Sequence, residues 1–147
     1  MTRYFEDFTV GEAIELGSVE VTEAAITGFA EQYDPQPFHI DAAAAARSPF
    51  GGLIASGWHT AALFMRLFAD AVLLDSSSQG ASGIDQMRWR APVRPGDTLA
   101  GRATVLDARR SATAPNRGTV TVLSEMRNQD GTVVLSMKAR CQFGTRD

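Results

Sequence analysis

The longest helical signal lies near the middle of the chain, over residues 53–74. Apolar side chains recur there at spacings of three and four, which predicts one helix face: Ile54, Trp58, Ala61, Met65, Phe68 and Val72. Other apolar residues cover most of the remaining helix surface, a pattern typical of a helix buried on nearly all sides. His59, Arg66 and Asp70 form a narrow polar stripe. A membrane-spanning helix rarely carries three such residues.

One strand and two short helices are predicted ahead of that segment. Residues 12–21 favour a strand, and Thr22 is a suitable N-cap for a helix over Glu23–Tyr33. Residues 34–38 hold two prolines and are expected to be irregular, because proline supplies no amide and restricts the residue before it. The alanine run Ala42–Ala46 is a short helix former.

After Gly80 the hydrophobic period changes from that of a helix to that of a strand. Apolar and polar residues alternate in four segments, each a predicted half-buried strand: 87–93, 99–105, 119–122 and 133–143. Residues 95–97 and 130–131 are predicted turns, and residues 111–118 a longer loop. A buried helix with a mostly sequential antiparallel sheet is an α+β arrangement, in which the sheet wraps the helix. The strand order does not follow from the pattern.

Composition narrows the class of protein. The chain of 147 residues suits a single domain over 1–147. Its net charge of -3, without a long run of one sign, argues against nucleic-acid binding through a general basic field, but leaves open a local basic pocket for a phosphate-bearing ligand. Cys141 is the only cysteine, so no intrachain disulfide or zinc-type cysteine cluster can form. The first ten residues lack the apolar stretch of a secretory signal, so we expect a cytoplasmic protein.

The most informative segment is the proline-rich stretch over residues 33–41, which contains Asp34 and His39. Two prolines fix φ at two positions and so restrict the mutual geometry of these two side chains. A carboxylate close to an imidazole can move a proton near neutral pH. The alternative is a rigid loop with a solvent-exposed Asp34 and a His39 that hydrogen-bonds the backbone. The residues alone leave both interpretations open.

A glycine-containing segment follows over residues 50–58. Ser56 is a candidate N-cap for the long helix, which would place Gly57 in its first turn, where amides lack partners within the helix. Such amides can hold a developing oxyanion, and Gly57 has no side chain to keep a substrate carbonyl away. Close packing of the helix against the sheet explains the glycines equally well.

Other residue patterns in the sequence give weaker evidence for a functional site. The glycines fit neither a dinucleotide-binding nor a P-loop pattern, and Ser56 does not lie in a nucleophile elbow. Two histidines without a ligand-type spacing argue against a metal site built from the available acidic and histidine side chains: Asp34, His39, Asp41 and His59. Cys141 alternates with core residues and is expected to pack rather than react. Arg88 and Arg90 suit the solvated face of a strand, or alternatively a diphosphate.

The order Asp34-Pro-Gln-Pro-Phe-His39 resembles the D-x-N-P-x-H signature of the MaoC-like, or R-specific, enoyl-CoA hydratases. Residues 50–58 resemble the segment that leads into the central helix of that family, and residues 93–97 resemble its turn between two strands. The resemblance covers residues 5–143. Two departures from the pattern, Gln36 in place of asparagine and Met65 in place of a serine found in some members, bear on the substrate more than on the reaction class.

The resemblance implies a hot-dog fold, in which an antiparallel sheet wraps a long helix, and a homodimer or dimer of dimers with sites at the subunit interface. It implies that Asp34 and His39 are catalytic and that Gly57, with Ser56 beside it, binds the thioester oxygen. The substrate would be an acyl-CoA thioester, and no metal or redox cofactor is expected. The implied reaction is the hydration of a 2-enoyl-CoA to a 3-hydroxyacyl-CoA. A hot-dog thioesterase and a non-catalytic acyl-CoA-binding subunit are the alternatives.

Overall fold

The computed structural model describes residues 1–146, which form one five-stranded antiparallel sheet with helices against it. The strands are β1 (Ala13–Glu20), β2 (Ser78–Trp89), β3 (Thr98–Arg110), β4 (Arg117–Arg127) and β5 (Val133–Gly144). Their order in the sheet is β1-β3-β4-β5-β2. Consecutive hairpins therefore form the centre of the sheet, while β1 and β2 are its edges. The predicted α+β class is confirmed.

Strand β4 shows most clearly why the period-two pattern gives a sheet. Buried and half-buried residues alternate along its whole length, because successive side chains of a strand point to opposite faces. The fully buried side chains of β3, β4 and β5 meet the helices in one core: Leu99, Val105, Val120, Val122, Met126, Leu135 and Phe143. The alternation therefore predicted the existence of these three strands, but β3 and β4 extend well beyond the predicted residues 99–105 and 119–122, and β4 begins inside the predicted loop over 111–118.

Strand β2 differs from its prediction, because it begins at Ser78 rather than near residue 87. Apart from Ile84, residues 78–86 are small or polar, and all but Gly83 are exposed. Within the described residues β2 pairs only with β5, so its other edge is free. A strand without a buried face carries no alternation, so its first half gives no signal. Register shifts between Asp85 and Arg88, with a positive φ of 54° at Gln86, interrupt the pairing with β5.

The helices are α1 (Glu23–Tyr33), α2 (Pro37–Ile40), α3 (Ala42–Ala46) and α4 (Gly57–Phe68). Helix α1 has its predicted bounds, and the Thr22 hydroxyl accepts a hydrogen bond from the Ala25 amide at 3.1 Å. The irregular stretch ends earlier than predicted, at residue 36, because Pro37 begins α2. Proline suits a first helical position, where its fixed φ fits and no amide is needed.

Helix α4 is shorter and more exposed than predicted. It begins at Gly57 with Ser56 as N-cap, as predicted, and it continues past Phe68 as a π-helical turn over Ala69–Leu73. Residues 53–56 are not helical. The sheet covers only one side of α4, so Trp58 and Met65 are 59% and 47% exposed, and the prediction of burial on all sides is wrong. No helix in the described part of the chain is long and apolar enough to span a membrane.

A buried carboxylate organises the turn between β2 and β3. Asp97 is 8% exposed and accepts hydrogen bonds from the Arg94 amide at 2.9 Å and from the Gln129 side chain at 2.9 Å. Two backbone hydrogen bonds join the same turn to the end of β1. The Val21 amide donates to the Asp97 carbonyl, and the Gly96 amide donates to the Val21 carbonyl. Asp97 therefore connects three parts of the chain that lie far apart in sequence.

We expect Asp97→Ala to lower the free energy of unfolding by about 1–3 kcal/mol, because the Arg94 amide and the Gln129 amide group would lose their acceptor. Asp97→Asn keeps an oxygen that can accept one of the two bonds and should cost less. Urea denaturation of both variants measures the difference. Equal stability of Asp97→Ala and the parent chain would show that this network does not hold the turn.

Candidate active site

Asp34 and His39 lie within reach of each other, at the two ends of the proline-rich connection between α1 and α2. Asp34 caps the C-terminus of α1, and His39 lies in α2. Their closest atoms, Asp34 Oδ2 and His39 Nε2, are 3.3 Å apart. The side chains are 18% and 6% exposed, respectively. The sequence-based expectation that the two residues lie close together is therefore met.

One contact indicates which nitrogen of the His39 ring carries a hydrogen in the neutral form. His39 Nδ1 lies 2.7 Å from the Ile54 carbonyl oxygen, and a carbonyl only accepts, so Nδ1 carries a hydrogen. When the imidazole is neutral, Nε2 is then the acceptor and faces the Asp34 carboxylate. The Ile54 amide in turn donates to the Phe38 carbonyl at 3.1 Å. Ile54 therefore holds α2 by two hydrogen bonds and orients the imidazole.

The Asp34 carboxylate accepts two side-chain hydrogen bonds. The Ser56 hydroxyl donates to Oδ2 at 2.6 Å, and the Gln36 amide group donates to Oδ1 at 2.8 Å. The Ser56 bond is the largest cause of a lowered pKa for Asp34, and Gln36 and the nearby His39 lower it further. Partial burial opposes them by raising it. The balance keeps Asp34 ionised at neutral pH, with its Oδ2 atom beside His39 Nε2.

Ser56 and Gly57 lie at the start of α4, next to Asp34. Ser56 is fully buried, and its hydroxyl accepts from the Trp58 amide at 3.3 Å while it donates to Asp34. The Ser56 hydroxyl therefore contacts the Asp34 carboxylate and does not point into an open cavity. The Gly57 amide has no hydrogen-bond partner among residues 1–146. An unpaired amide in the first turn of a helix can stabilise negative charge on a nearby oxygen.

These residues border a cavity of about 440 Å³. Asp34, His39 and Gly57 line it, together with aromatic and aliphatic side chains that include Phe38, Ile54, Trp58, Trp89, Val93 and Val134. Ligand cavities typically combine such apolar walls with a few polar groups that fix the orientation of the ligand. The arrangement places the Asp34 carboxylate, the His39 imidazole and a free helix amide on one largely apolar cavity.

Trp89, at the end of β2, is a cavity residue that the sequence did not single out. Its indole N–H donates to the Gly57 carbonyl at 2.8 Å, and its ring packs edge-on against Trp58 with centroids 5.2 Å apart. A Cβ added to Gly57 would overlap the Trp89 ring. The glycine therefore makes room for an indole, in addition to any approach by a substrate. Trp89 and Gly57 are 32 residues apart, so no local pattern reveals this contact.

None of the remaining sequence candidates forms a hydrogen bond or ion pair with Asp34 or His39 in the described part of the chain, although Arg90 lines the same cavity. His59 is 6% exposed and stacks on Phe29, burial lowers its pKa, and its Nδ1 has no hydrogen-bond partner in the part of the chain that the structure describes. Cys141 is buried, which raises its pKa to about 11, so the thiol stays protonated. Asp41 caps α3 by accepting from two amides. Arg88 and Arg90 are exposed.

Comparisons with known proteins agree with this architecture. The family model described as "MaoC like domain" matches residues 7–127. A MaoC-like dehydratase from Rhodospirillum rubrum is 41% identical, with a TM-score of 0.90 and 98% coverage of each chain. A 3-hydroxybutyryl-CoA dehydratase from Methylorubrum extorquens is 37% identical over 71% of this chain and 64% of that protein. The R-hydratase PhaJ1 from Pseudomonas aeruginosa is 26% identical, with a TM-score of 0.79, and the alignment covers 99% of this chain and 88% of that one.

The fold itself has a wider set of neighbours. A Mycobacterium tuberculosis protein described as a double hot-dog fold shares it with a TM-score of 0.76 at 16% identity, over 98% of this chain and 44% of that one. The five-stranded antiparallel sheet packed on α4 is accordingly a hot-dog fold, as the sequence resemblance implied. The family model spans most of the chain, from before β1 to the end of β4, and the chain belongs to the MaoC-like dehydratase domain family.

Proposed function

We propose that this protein catalyses the reversible hydration of a 2-enoyl-CoA to a 3-hydroxyacyl-CoA, with R stereochemistry at the new hydroxyl. The observation that carries the proposal is the carboxylate–imidazole pair, with Asp34 Oδ2 and His39 Nε2 3.3 Å apart on the cavity that Gly57 also lines. Two relatives, a 3-hydroxybutyryl-CoA dehydratase and an R-hydratase, support the same reaction class.

Water activation follows from the state of the couple. With Asp34 ionised and His39 neutral, both facing atoms accept hydrogen bonds, so a water molecule that donates to both is held with its oxygen lone pairs free. As that oxygen bonds to the β-carbon of the enoyl group, the couple takes one proton from the water. The couple delivers one proton to the α-carbon, and the enzyme returns to its starting state. The net change is the addition of one water across the double bond.

The start of α4 would stabilise the negative charge that develops in the reaction intermediate. Attack at the β-carbon moves electron density through the conjugated system onto the thioester oxygen, which becomes enolate-like. The Gly57 amide, unpaired and at the positive end of α4, would donate to that oxygen. Ser56 acts through Asp34 in this scheme, because its buried hydroxyl contacts the carboxylate. Hydration transfers no electrons, so the scheme requires no redox cofactor.

A screen of 2-enoyl-CoA substrates that differ in chain length and branching tests the proposal. Loss of the conjugated-enone absorbance without release of free thiol supports hydration. Thiol release at the same rate would instead identify a thioesterase. Binding of the substrates without either change would identify a non-catalytic acyl-CoA-binding subunit. Chiral analysis of the hydroxyacyl product decides between R and S stereochemistry.

We expect Asp34→Asn and His39→Ala each to lower kcat by about 10²–10⁴-fold, since each removes one member of an acid/base couple. The double variant should lose little more than either single variant, because the two residues act as a unit. Cys141→Ala is the matched control, since its thiol is buried and protonated, and it should retain turnover. Circular dichroism checks that each variant is folded. Parental turnover by folded Asp34→Asn would overturn the mechanism.

Ser56→Ala should move the acidic limb of the kcat/KM profile to higher pH. The Ser56 hydrogen bond lowers the pKa of Asp34, so its loss raises that pKa, and the carboxylate becomes protonated at a pH where the parent enzyme is still active. Ser124→Ala is the matched control: Ser124 is as fully buried as Ser56, but its hydroxyl has no partner within residues 1–146. A shift of equal size in both variants would refute the assigned role.

We propose that the protein is a homodimer that pairs through β2. The free edge of β2 carries exposed Ile84 and Trp89, and the exposed Trp58 and Met65 of α4 add further apolar surface. Proteins normally cover such edges, and two-fold pairing is the commonest assembly. Light scattering at micromolar concentration should give a dimer mass. Ile84→Lys should shift the mass toward a monomer, whereas Leu106→Lys, at an exposed apolar position of β3, should not. A monomeric parent chain would contradict this proposal.

A further inference from the structure

The loop between α3 and α4 forms part of the cavity wall. Phe50, in this loop, lines the cavity together with Phe38 and His39. The Phe50 ring packs against the Phe38 ring with centroids 5.1 Å apart. The Phe38 ring in turn packs edge-on against the His39 imidazole at 4.6 Å. Three rings in contact therefore connect the loop with the imidazole of the proposed acid/base couple.

Arg94, in the turn between β2 and β3, holds this loop from outside the cavity. Its Nη2 atom donates to the Phe50 carbonyl oxygen at 2.6 Å, across 44 residues. The guanidinium has no other hydrogen-bond acceptor among the described residues. Arg94 is half-buried and does not itself line the cavity. Any effect of Arg94 on the site must therefore pass through the loop that it contacts.

Two glycines let the guanidinium approach the backbone of the loop. Gly51 has a positive φ of 69°, a conformation that glycine adopts without steric cost. A Cβ added to Gly52 would lie only 3.2 Å from Arg94 Nη1, closer than a comfortable van der Waals contact. The turn at Gly51 and the missing side chain at Gly52 therefore both favour the contact between Arg94 and Phe50.

The backbone of Arg94 is fixed by the turn that Asp97 organises. The Arg94 amide donates to the Asp97 carboxylate at 2.9 Å, and the Asp97 amide donates back to the Arg94 carbonyl at 3.1 Å. The neighbouring Val93 carbonyl accepts from the Ala55 amide at 2.9 Å. Arg94 is thus anchored in the turn at its backbone, while its guanidinium reaches the loop. The side chain joins two parts of the chain that surround the cavity.

We propose that Arg94 is a positioning residue for His39. Its bond to the Phe50 carbonyl keeps the Phe50 ring against Phe38, and the Phe38 ring then restricts rotation of the imidazole. The Ile54 carbonyl holds the same imidazole through Nδ1, so the bond and the rings together fix the direction of Nε2. This inference rests on the proposed function, because a misplaced proton-transfer group lowers the rate of a reaction even when every reacting group is present.

Turnover of 2-butenoyl-CoA tests this role. Arg94→Met removes the donor but keeps a side chain of similar length, and kcat should fall about tenfold, less than on loss of a member of the couple. Arg94→Lys keeps a charged donor and should recover most of kcat. Arg110→Met is the matched control, because Arg110 donates to the Pro115 carbonyl at 2.9 Å in a loop outside the cavity lining, and it should keep the parental kcat.

A double-variant cycle tests the route through the loop. Phe50→Leu removes the ring but keeps the carbonyl that Arg94 contacts, and it should also lower kcat. If Arg94 acts through this ring, adding Arg94→Met to Phe50→Leu should lower kcat further by no more than about twofold, because residues on one path are not additive. Losses that multiply in the double variant would overturn the inference.

Imidazole NMR measures the same arrangement without a substrate. The chain has two histidines, so the ring nitrogen signals of His39 and His59 can be assigned with the His39→Ala variant. Arg94→Met should shift the His39 signals and leave those of His59 in place, and Arg110→Met should shift neither. Phe50→Leu should shift the His39 signals as well, which gives a second reading should Arg94→Met prove unfolded by circular dichroism.

The two kinds of measurement separate failure of this inference from failure of the proposed function. Unchanged His39 signals in folded Arg94→Met would refute the positioning role, and so would a parental kcat in that variant, while hydration by the parent chain would still stand. If the parent chain hydrates no enoyl-CoA, the proposed function is wrong. The NMR comparison then decides by itself whether Arg94 orients the imidazole.

Discussion

The short hydrogen bond from the Ser56 hydroxyl to Asp34 Oδ2, at 2.6 Å, is the interaction on which the candidate site depends. The same hydroxyl accepts from the Trp58 amide, so one oxygen both caps α4 and fixes the carboxylate. Because the N-terminus of α4 and the C-terminus of α1 meet at this atom, the free Gly57 amide and Asp34 have a fixed separation. Loss of the hydroxyl would disturb helix capping and carboxylate ionisation together, which explains why a fully buried polar residue stands there.

The non-helical segment over residues 53–56 positions the other member of the site, His39. It lies between α2 and the turn after β2, where the Ile54 carbonyl accepts from His39 and the Ala55 amide donates to the Val93 carbonyl at 2.9 Å. A helix that began at residue 53 would engage the Ile54 carbonyl in an intrahelical hydrogen bond with the amide four residues on. The early start of α4 that the apolar spacing suggested is therefore incompatible with an oriented imidazole. The extended backbone is what makes the Nε2 atom of His39 available to the cavity.

The sequence predicted local features well and long-range contacts poorly, for physical reasons that particular residues illustrate. Thr22 and Ser56 were identifiable as caps because capping involves amides two or three residues away. Strand β4 was identifiable because one face is buried along its whole length. By contrast, the first half of β2 has no buried face, and the Trp89 contact with Gly57 joins positions that only the fold brings together. The hydrogen bond from the buried Ser56 to Asp34 likewise joins residues 22 positions apart, so no local pattern in the sequence reveals it.

The lowered pKa of Asp34 links the stability of the fold to the state of the site. A carboxyl whose pKa is lower in the folded protein than in the unfolded chain contributes stability above the unfolded value, and this contribution is lost as pH falls through the folded value. The ionised form that stabilises the junction of α1 and α4 is also the form that, in the proposed mechanism, would accept a hydrogen bond from water beside His39. Near neutral pH, the fold and the proposed chemistry therefore favour the same protonation state. The hydrogen bond from Ser56 therefore serves the fold and the proposed reaction together.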